Sequence, residues 1–318
     1  MERRMISICI PVYNEAESLP VAISSVEALF ADKLAGYELE IVITDNASTD
    51  GTWAIASAFA ATRPYVKAFR FSRNFGYQNS VFAGLSMATG DAVVELDADL
   101  EDPPRVITEF VERWEQGFDV VYGVRRKRHA SFLMRILFRL FYKFLRLASS
   151  LDIPENSGDF RLLDRRVVNI LKNLPERNLY LRGLVTYLGF RQTPVYYDRD
   201  PRVAGRSKFS LIHYMILAID GVTAVSKTPL RVIAVIGFVI FCLSILLGIY
   251  YVRGALFYKV PIQGFTTLVV LMLMLHGLNF IFVGVIGEYL SRIFDDSKGR
   301  PRVVIAESIN ADNSRRSL

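Results

Sequence analysis

Two uncharged runs near one end constrain this chain more than any other feature. Val232 to Val252 is 21 residues without a charge, and Pro261 to Gly287 is another 27. Each exceeds the roughly 20 apolar residues needed to cross a bilayer as a helix. One such run fits the buried helix of a large soluble core equally well. Two side by side, joined by a loop holding Arg253 and Lys259, predict a membrane hairpin instead. Lys227, Arg231, Arg292, Lys298 and Arg300 flank its outer ends. That bias predicts an integral protein of the inner (cytoplasmic) membrane with both termini in the cytoplasm. The start, MERRMISICIPVYNE, is basic, but its apolar run is too short for a signal peptide, so the residues ahead of the hairpin are expected to stay on the side of synthesis. The two cysteines, Cys9 in a strand-like run and Cys242 in an apolar one, read as small core residues in a reducing compartment.

The net charge of +6 is concentrated locally. In RRKRHASFLMRILFRLFYKFLRLASS, Arg135, Arg139, Lys143 and Arg146 recur at spacings of four, four and three, with Phe, Leu and Ile between them. On a helix the basic groups fall within roughly a quarter of the circumference. This predicts a helix over 131–147 lying in the headgroup layer, cations toward anionic phosphates. A nucleic-acid partner is not expected, because the aromatic side chains suit lipid better. A further apolar stretch, Phe209 to Val225, fits an interfacial helix or a core helix equally well.

Ahead of these segments the chain alternates. ISICIPV, ELEIVIT, VKAFRFS, DAVVEL and FDVVYGV read as strands, with helices over 16–34, 50–62, 76–88 and 103–117. Near-continuous apolar strands alternating with helices predict an α/β, doubly wound sheet covered on both faces. Ligands of such sheets sit beyond the carboxyl ends of the strands, and every polar cluster here follows a strand. PVYNE (Pro11, Tyr13 and Glu15 among them) is the first. TDNASTDGT, with Asp45 and Asn46, is suited to reading a base and ribose, although a plain turn with Ser48 or Thr49 capping a helix would use the same residues. FSRNFGYQN offers Arg73 to a phosphate. DAVVELDADLEDPP gathers Asp97, Asp99, Glu101 and Asp102. Acids at i and i+2 beyond a strand end can both reach one hard divalent cation, which commonly bridges carboxylates to substrate phosphates. A solvated acidic loop is the bland alternative, and Asp102 is placed to cap the helix after the two prolines.

PVYNE, the D-x-x-STDGT turn, SRNFG, DADLEDPP, GDFRLL, RVAGRSKFS and the closing GEYLSRIF…RP together resemble the polyprenyl-phosphate glycosyltransferases of glycosyltransferase family 2, the group of bactoprenol glucosyltransferases and dolichol-phosphate mannose synthases. The resemblance implies a GT-A fold, a nucleotide-sugar donor and a membrane polyprenyl phosphate as acceptor. It implies donor binding by Pro11, Tyr13, Glu15, Asp45, Asn46, Arg73, Asp97 and Ala98. Asp97, Asp99 and Glu101 would hold Mg²⁺ or Mn²⁺. Asp159, in SGDFRLLDRR, is the family's candidate general base; pairing with Arg161 or Arg165 is its structural alternative. RDPRVAGRSKFS supplies Arg199, Arg202, Arg206 and Lys208, and of this segment Arg202, Ser207 and Lys208 match the family at the acceptor and diphosphate. The implied division is 1–130 for the nucleotide-sugar part, 131–228 for the acceptor side, 229–290 for the hairpin and 291–318 for a cytoplasmic C-terminal tail, low in complexity after Glu307. Where the family usually has Asp-Asp-Gly-Ser this chain has Asp45-Asn46-Ala47-Ser48, which bears on base preference, and Glu101 replaces a usual Gln, making the metal site more anionic. The family inverts, and the pattern favours UDP-glucose, with GDP-mannose second. His276 and Asn279, one turn apart, are expected to join helices in a homo-oligomer rather than touch lipid phosphate. A processive polysaccharide synthase fits poorly, since Phe110 stands where its Gln-x-x-Arg-Trp motif needs Gln. A nucleotide-sugar sensor without transfer would not need Asp97, Asp99, Asp159 and Lys208 together.

Overall fold

The structure, a computed structural model, describes residues 3–126, 157–176, 179–201, 228–258 and 264–311. The five expected strands are β1 (Met5–Val12), β2 (Glu38–Asp45), β3 (Val66–Phe71), β4 (Ala92–Glu95) and β5 (Val120–Arg125). The helices between them are α1 (Leu19–Asp32), α2 (Thr52–Thr62), α3 (Tyr77–Met87) and α4 (Val106–Glu115). Successive strand residues point to opposite faces, and here both faces are dry. Along β1, Ile6, Ile8 and Ile10 enter a core with Ile23 and Phe30 of α1, Ala56 of α2 and Phe110 of α4, while Cys9 enters a second core with Val81, Phe82 and Leu85 of α3. Covering on both sides is why these strands read as unbroken apolar runs.

The eight-stranded sheet has the order β7-β5-β6-β4-β1-β2-β3-β8, completed by β6 (Ser157–Asp164), β7 (Gln192–Tyr197) and β8 (Ile305–Ile309). β3, β2, β1 and β4 are parallel neighbours, and the winding reverses between β1 and β4. That reversal opens a crevice at the carboxyl ends of the strands. α5 (Arg165–Lys172), capped by Asp164 accepting from the Arg166 N–H at 2.9 Å, and α6 (Leu181–Tyr187) join α3 on its face.

Two strands depart from the doubly wound expectation. β6 runs antiparallel between β4 and β5, with Glu95 opposite Arg161. An antiparallel strand begins where its neighbours end, so Asp97, two residues past Glu95, and Asp159, two residues before Arg161, come near enough for their charges to interact. The second departure lies within the C-terminal tail expected over 291–318: Ile305–Ile309 form an unexpected edge strand, β8, antiparallel to β3. Arg302 fastens its approach by donating to the Glu176 carbonyl at 2.8 Å, Val303 is fully buried, and Asn310 Nδ2 donates to the carbonyls of Ala60 and Val66 beyond it.

The two apolar runs are α7 (Thr228–Tyr258) and α8 (Phe265–Ser297), of 31 and 33 residues. At about 1.5 Å per residue, either is longer than the ~30 Å hydrocarbon core of a bilayer. Their apolar windows, Thr228–Leu247 and Leu271–Ser297, have no share buried within the protein. Phe238 is 68% exposed and Phe280 76%, which no soluble core helix would show. His276 Nδ1 is 2.8 Å from the Met272 carbonyl of its own helix. The expected helix over 131–147 and the stretch 209–225 lie outside the described residues.

Candidate active site

The expected site residues that are described lie at the carboxyl ends of β1 and β2, on the loops leaving β1, β2, β3 and β4, or at the start of β6, with Arg199 just after β7. The β1 and β2 loops interlock. The Asn14 N–H donates to Ser48 Oγ at 3.0 Å, Asn14 Oδ1 accepts from the Thr49 N–H at 2.8 Å, and the Glu15 N–H donates to Thr52 Oγ1 at 2.9 Å. Ser48 is thus used between loops and is not a helix cap; Gly51 occupies the N-cap of α2. Pro11 is buried at the end of β1, and Tyr13 is 40% exposed above it. Asn46 joins the third loop as well, its Oδ1 accepting from the Phe75 N–H at 2.8 Å and its Nδ2 donating to Asn74 Oδ1 at 3.1 Å. Arg73 on that loop lies over the Phe75 ring at 4.1 Å.

Three loop residues of this rim, Asn14, Ala47 and Leu100, hold positive φ of 57°, 60° and 57°. Left-handed backbone in non-glycine residues collects at functional sites, where surrounding contacts hold it in place. At Ala47 it explains the family's usual glycine.

Asp45 is fully buried at the tip of β2. Its Oδ1 accepts from the Ser48 N–H at 3.0 Å, whereas its Oδ2 accepts no hydrogen bond and has Arg70 Nε at 3.5 Å. Burial raises its pKa above the ordinary carboxylate value, partly opposed by Ser48 and Arg70. An acceptor oxygen held dry without a donor is suited to an N–H brought by a ligand.

Beyond β4 the rim becomes charged. Asp97 Oδ1 accepts from the Tyr77 hydroxyl at 2.8 Å, and the same hydroxyl reaches Glu95 Oε1 at 3.2 Å. Burial first, then Asp99 and Asp102, push the Asp97 carboxyl up to about 7. Glu95 is buried at 2% exposure, and its pKa is raised well above normal by burial and by Asp159. Asp159 has the opposite fate. Burial would raise it, but Arg182, donating from Nε at 2.7 Å and from Nη2 at 2.9 Å, together with Arg161 at 3.2 Å, holds it down to about 2. The expected partner Arg161 is therefore present, while Arg165 instead donates to the Gly90 carbonyl. Gly158 is no hinge: a Cβ there would lie 2.8 Å from the Arg125 guanidinium.

The remaining acids are already engaged. Asp102 does not cap α4. It is buried, accepting from the Tyr197 hydroxyl at 2.6 Å, Arg125 at 3.0 Å and Arg199 at 3.1 Å. Those cations and the tyrosine outweigh burial and hold its pKa below the usual range. Arg199, expected over phosphates, spans Glu101 and Asp102, so Glu101 is ion-paired to it rather than grouped with Asp97 and Asp99. Ala98 is buried between Asp97 and Asp99. Among the described residues no three His, Cys, Asp or Glu side chains form a closed metal cage. The chemistry of Asp97 and Asp99 nevertheless fits a hard cation that completes its shell with substrate phosphates, since added positive charge relieves a carboxyl crowded up to about 7. Arg202, Ser207 and Lys208 lie outside the described residues.

Tyr77, Glu95, Arg125, Arg182 and Tyr197 are members of this network that the sequence does not single out. Glu95 carried a signal: it is the one acid in an otherwise apolar strand, between Val94 and Leu96. The others become visible only once β6 is in register.

Comparison with known proteins agrees with this layout. The Glycosyl transferase family 2 profile matches residues 7–171. A bactoprenol glucosyl transferase of Shigella phage SfV is 41% identical over 94% of this chain and 97% of its own. An uncharacterized glycosyltransferase of Bacillus subtilis is 38% identical over 97% and 95% respectively. Among solved structures, a glucosyl-3-phosphoglycerate synthase from Mycobacterium tuberculosis in complex with phosphoglyceric acid superposes with a TM-score of 0.50 at 20% identity, covering 69% of this chain and 78% of its own. At that identity it speaks for the GT-A-like α/β fold alone.

Proposed function

The chain belongs to glycosyltransferase family 2, and from that premise we propose that it transfers glucose from UDP-glucose to a membrane polyprenyl phosphate, with inversion. The observation that carries this reading is the rim itself. A dry, unsatisfied acceptor at Asp45 and a carboxyl pushed up to about 7 at Asp97 stand on strands flanking β1, beside the reversal of winding. The first suits a base N–H, and the second suits a diphosphate with its counter-cation.

Bactoprenol glucosyl transferases among the relatives and two bilayer-length helices support a lipid acceptor. β8 adds a topological argument. It pairs with β3, so residues on either side of α7 and α8 share one compartment. Two crossings satisfy that condition and one does not. The reading places 1–130 together with β8 on the donor side, 131–228 on the acceptor side and 229–290 in the membrane, with both termini in the cytoplasm.

In the reaction, Asp45 and Asn46 orient the base end, with Pro11, Tyr13 and Glu15 lining the β1 loop and Arg73 facing the phosphates. Asp97 and Asp99 would hold Mg²⁺ or Mn²⁺, which would supply positive charge for the departing diphosphate. An acceptor phosphate oxygen attacks the anomeric carbon, and the bond to the β-phosphate oxygen breaks with its electron pair leaving on UDP. A phosphate monoester, with a second pKa near ~6, is already ionised at neutral pH and needs no base. Asp159 accordingly acts as the anion that fixes Arg182 and Arg161 at the rim, and Arg202, Ser207 and Lys208 meet the acceptor. No carboxylate is assigned as a covalent nucleophile, hence inversion.

A panel of radiolabelled nucleotide sugars, incubated with membranes containing the full chain and undecaprenyl phosphate, tests the reading. UDP-glucose is expected to give a chloroform-soluble product with a β-anomeric proton by NMR. Labelling only from another nucleotide sugar, or an α-linked product, would overturn the donor or the single displacement respectively.

A further inference from the structure

We propose that Glu307, on the strand that follows both apolar helices, is a positioning residue for the donor-base end of the site, acting through Arg70 on Asp45 and the turn after it. Five contacts carry the idea. Arg70 Nη1 donates to Glu307 Oε1 at 3.0 Å. Arg70 Nε lies 3.5 Å from the buried Asp45 Oδ2, and its Nη2 is 3.4 Å from the Ser48 carbonyl. Trp53 Nε1 donates to Glu307 Oε2 at 3.2 Å, and the Arg70 guanidinium stands 5.7 Å from the Trp53 ring centroid. The guanidinium is thus held from three sides, and its remaining edge addresses the strand tip that bears Asp45.

The physical consequence concerns how Asp45 presents its free oxygen. Without Glu307, Arg70 is released from its outer partner and is free to close on Asp45 Oδ2, converting a 3.5 Å approach into a hydrogen-bonded pair. That would occupy the acceptor that a base N–H needs. Glu307 therefore competes for Arg70 and keeps the Asp45 acceptor open. The strand does not depend on this side chain for docking, because Arg302, Val303 and Asn310 anchor it on both sides. Glu307 itself is half exposed, so the effect is expected to be modest.

The inference rests on the reading of Asp45 as the residue that meets the nucleotide base. Its test is a double-mutant cycle on the full chain in lipid nanodiscs, read as the Kd of UDP by calorimetry and as KM and kcat for UDP-glucose. Glu307→Ala is expected to weaken UDP about three- to five-fold. KM for UDP-glucose should rise in step, with kcat at saturating donor and KM for polyprenyl phosphate unchanged. In an Arg70→Ala background the same substitution should have no further effect, because there is no guanidinium left to release. Glu307→Gln, which still accepts from Arg70, should recover most of the affinity. A purely structural role for the strand would lower the melting temperature and add to Arg70→Ala. Additive losses, or an unchanged Kd in Glu307→Ala, overturn the proposal while leaving the donor reading intact. Asp45→Asn with wild-type UDP affinity overturns the donor reading and the proposal together.

Discussion

Around Asp45 the rim is tied by neutral donors and acceptors, Asn14 to Ser48, Asn46 to Phe75 and Asn74, each at ordinary hydrogen-bond length. Around Asp97 it is tied by charge, with Glu95, Asp99, Asp102 and Asp159 answered by Arg125, Arg161, Arg182 and Arg199. The neutral web is tied before any ligand arrives and fixes the shape of this end, leaving the Asp45 acceptor open. A charged web is balanced only in part: Asp159 and Asp102 are neutralised by arginines, while Asp97 is left with acids on both sides. The difference teaches which end is preformed and which end is finished by what binds.

The largest expected effect lies at the charged end. If Asp97 and Asp99 need a cation, chelation should abolish transfer, Mg²⁺ or Mn²⁺ should restore it, and Asp99→Asn should lose at least about 100-fold in kcat with an unchanged melting temperature. Full turnover in excess EDTA would erase the contrast between the two ends.

Acidity sharpens the same contrast. With the Asp97 carboxyl at about 7, a cation must displace a proton below that pH. Mn²⁺ affinity should therefore fall by about tenfold per pH unit below neutrality and level off above it. The linkage sign follows. A carboxyl whose folded pKa exceeds its unfolded value favours the folded state less as pH rises, so the metal-free protein should melt lower at pH 8 than at pH 6, and added Mn²⁺ should remove the difference.

At the neutral end a smaller loss is expected from Asn46→Asp. An aspartate cannot donate to Asn74 Oδ1, which also accepts from the Gly76 N–H, and it adds charge beside Asp45. The cost should be about 1–3 kcal/mol of stability, read as a lowered melting temperature, with a weaker Kd for UDP. The smallest effect belongs to Ala47→Gly. A left-handed alanine costs about 1–2 kcal/mol, part of which is offset by the greater unfolded freedom of glycine. The variant should gain up to about 1 kcal/mol in thermal unfolding and keep its donor affinity.

Much of this was legible in the residues. Unbroken apolar strands signalled a sheet covered on both faces, and the four polar clusters at strand ends signalled the rim. Direction was not legible. SGDFRLLDRR drew notice for Asp159 and not as a strand, and only its antiparallel pairing sets Arg161 opposite Glu95 and Asp159 near Asp97. β8 escaped because an edge strand needs little apolar content: Ile305 is buried, whereas Ala306, Glu307 and Ser308 face solvent. Arg199 and Asp102 were assigned separate duties, on phosphates and at a helix start, because nothing in a linear reading brings residue 199 to residue 102. Arg125 and Arg182 escaped for the same reason: each is an unremarkable arginine until the register supplies its carboxylate.

The pairing of β3 with β8 also fixes an order of events during synthesis. The ribosome releases β1 to β7 well before the last strand, and both apolar helices must be made in between. Throughout that interval β3 is a bare sheet edge, the kind of template that invites pairing with another chain. The sheet is therefore sealed only after α7 and α8 have been made and the final residues have returned to it. A nascent chain that stalls in α7 or α8 keeps an open edge, which exposes it to aggregation or proteolysis.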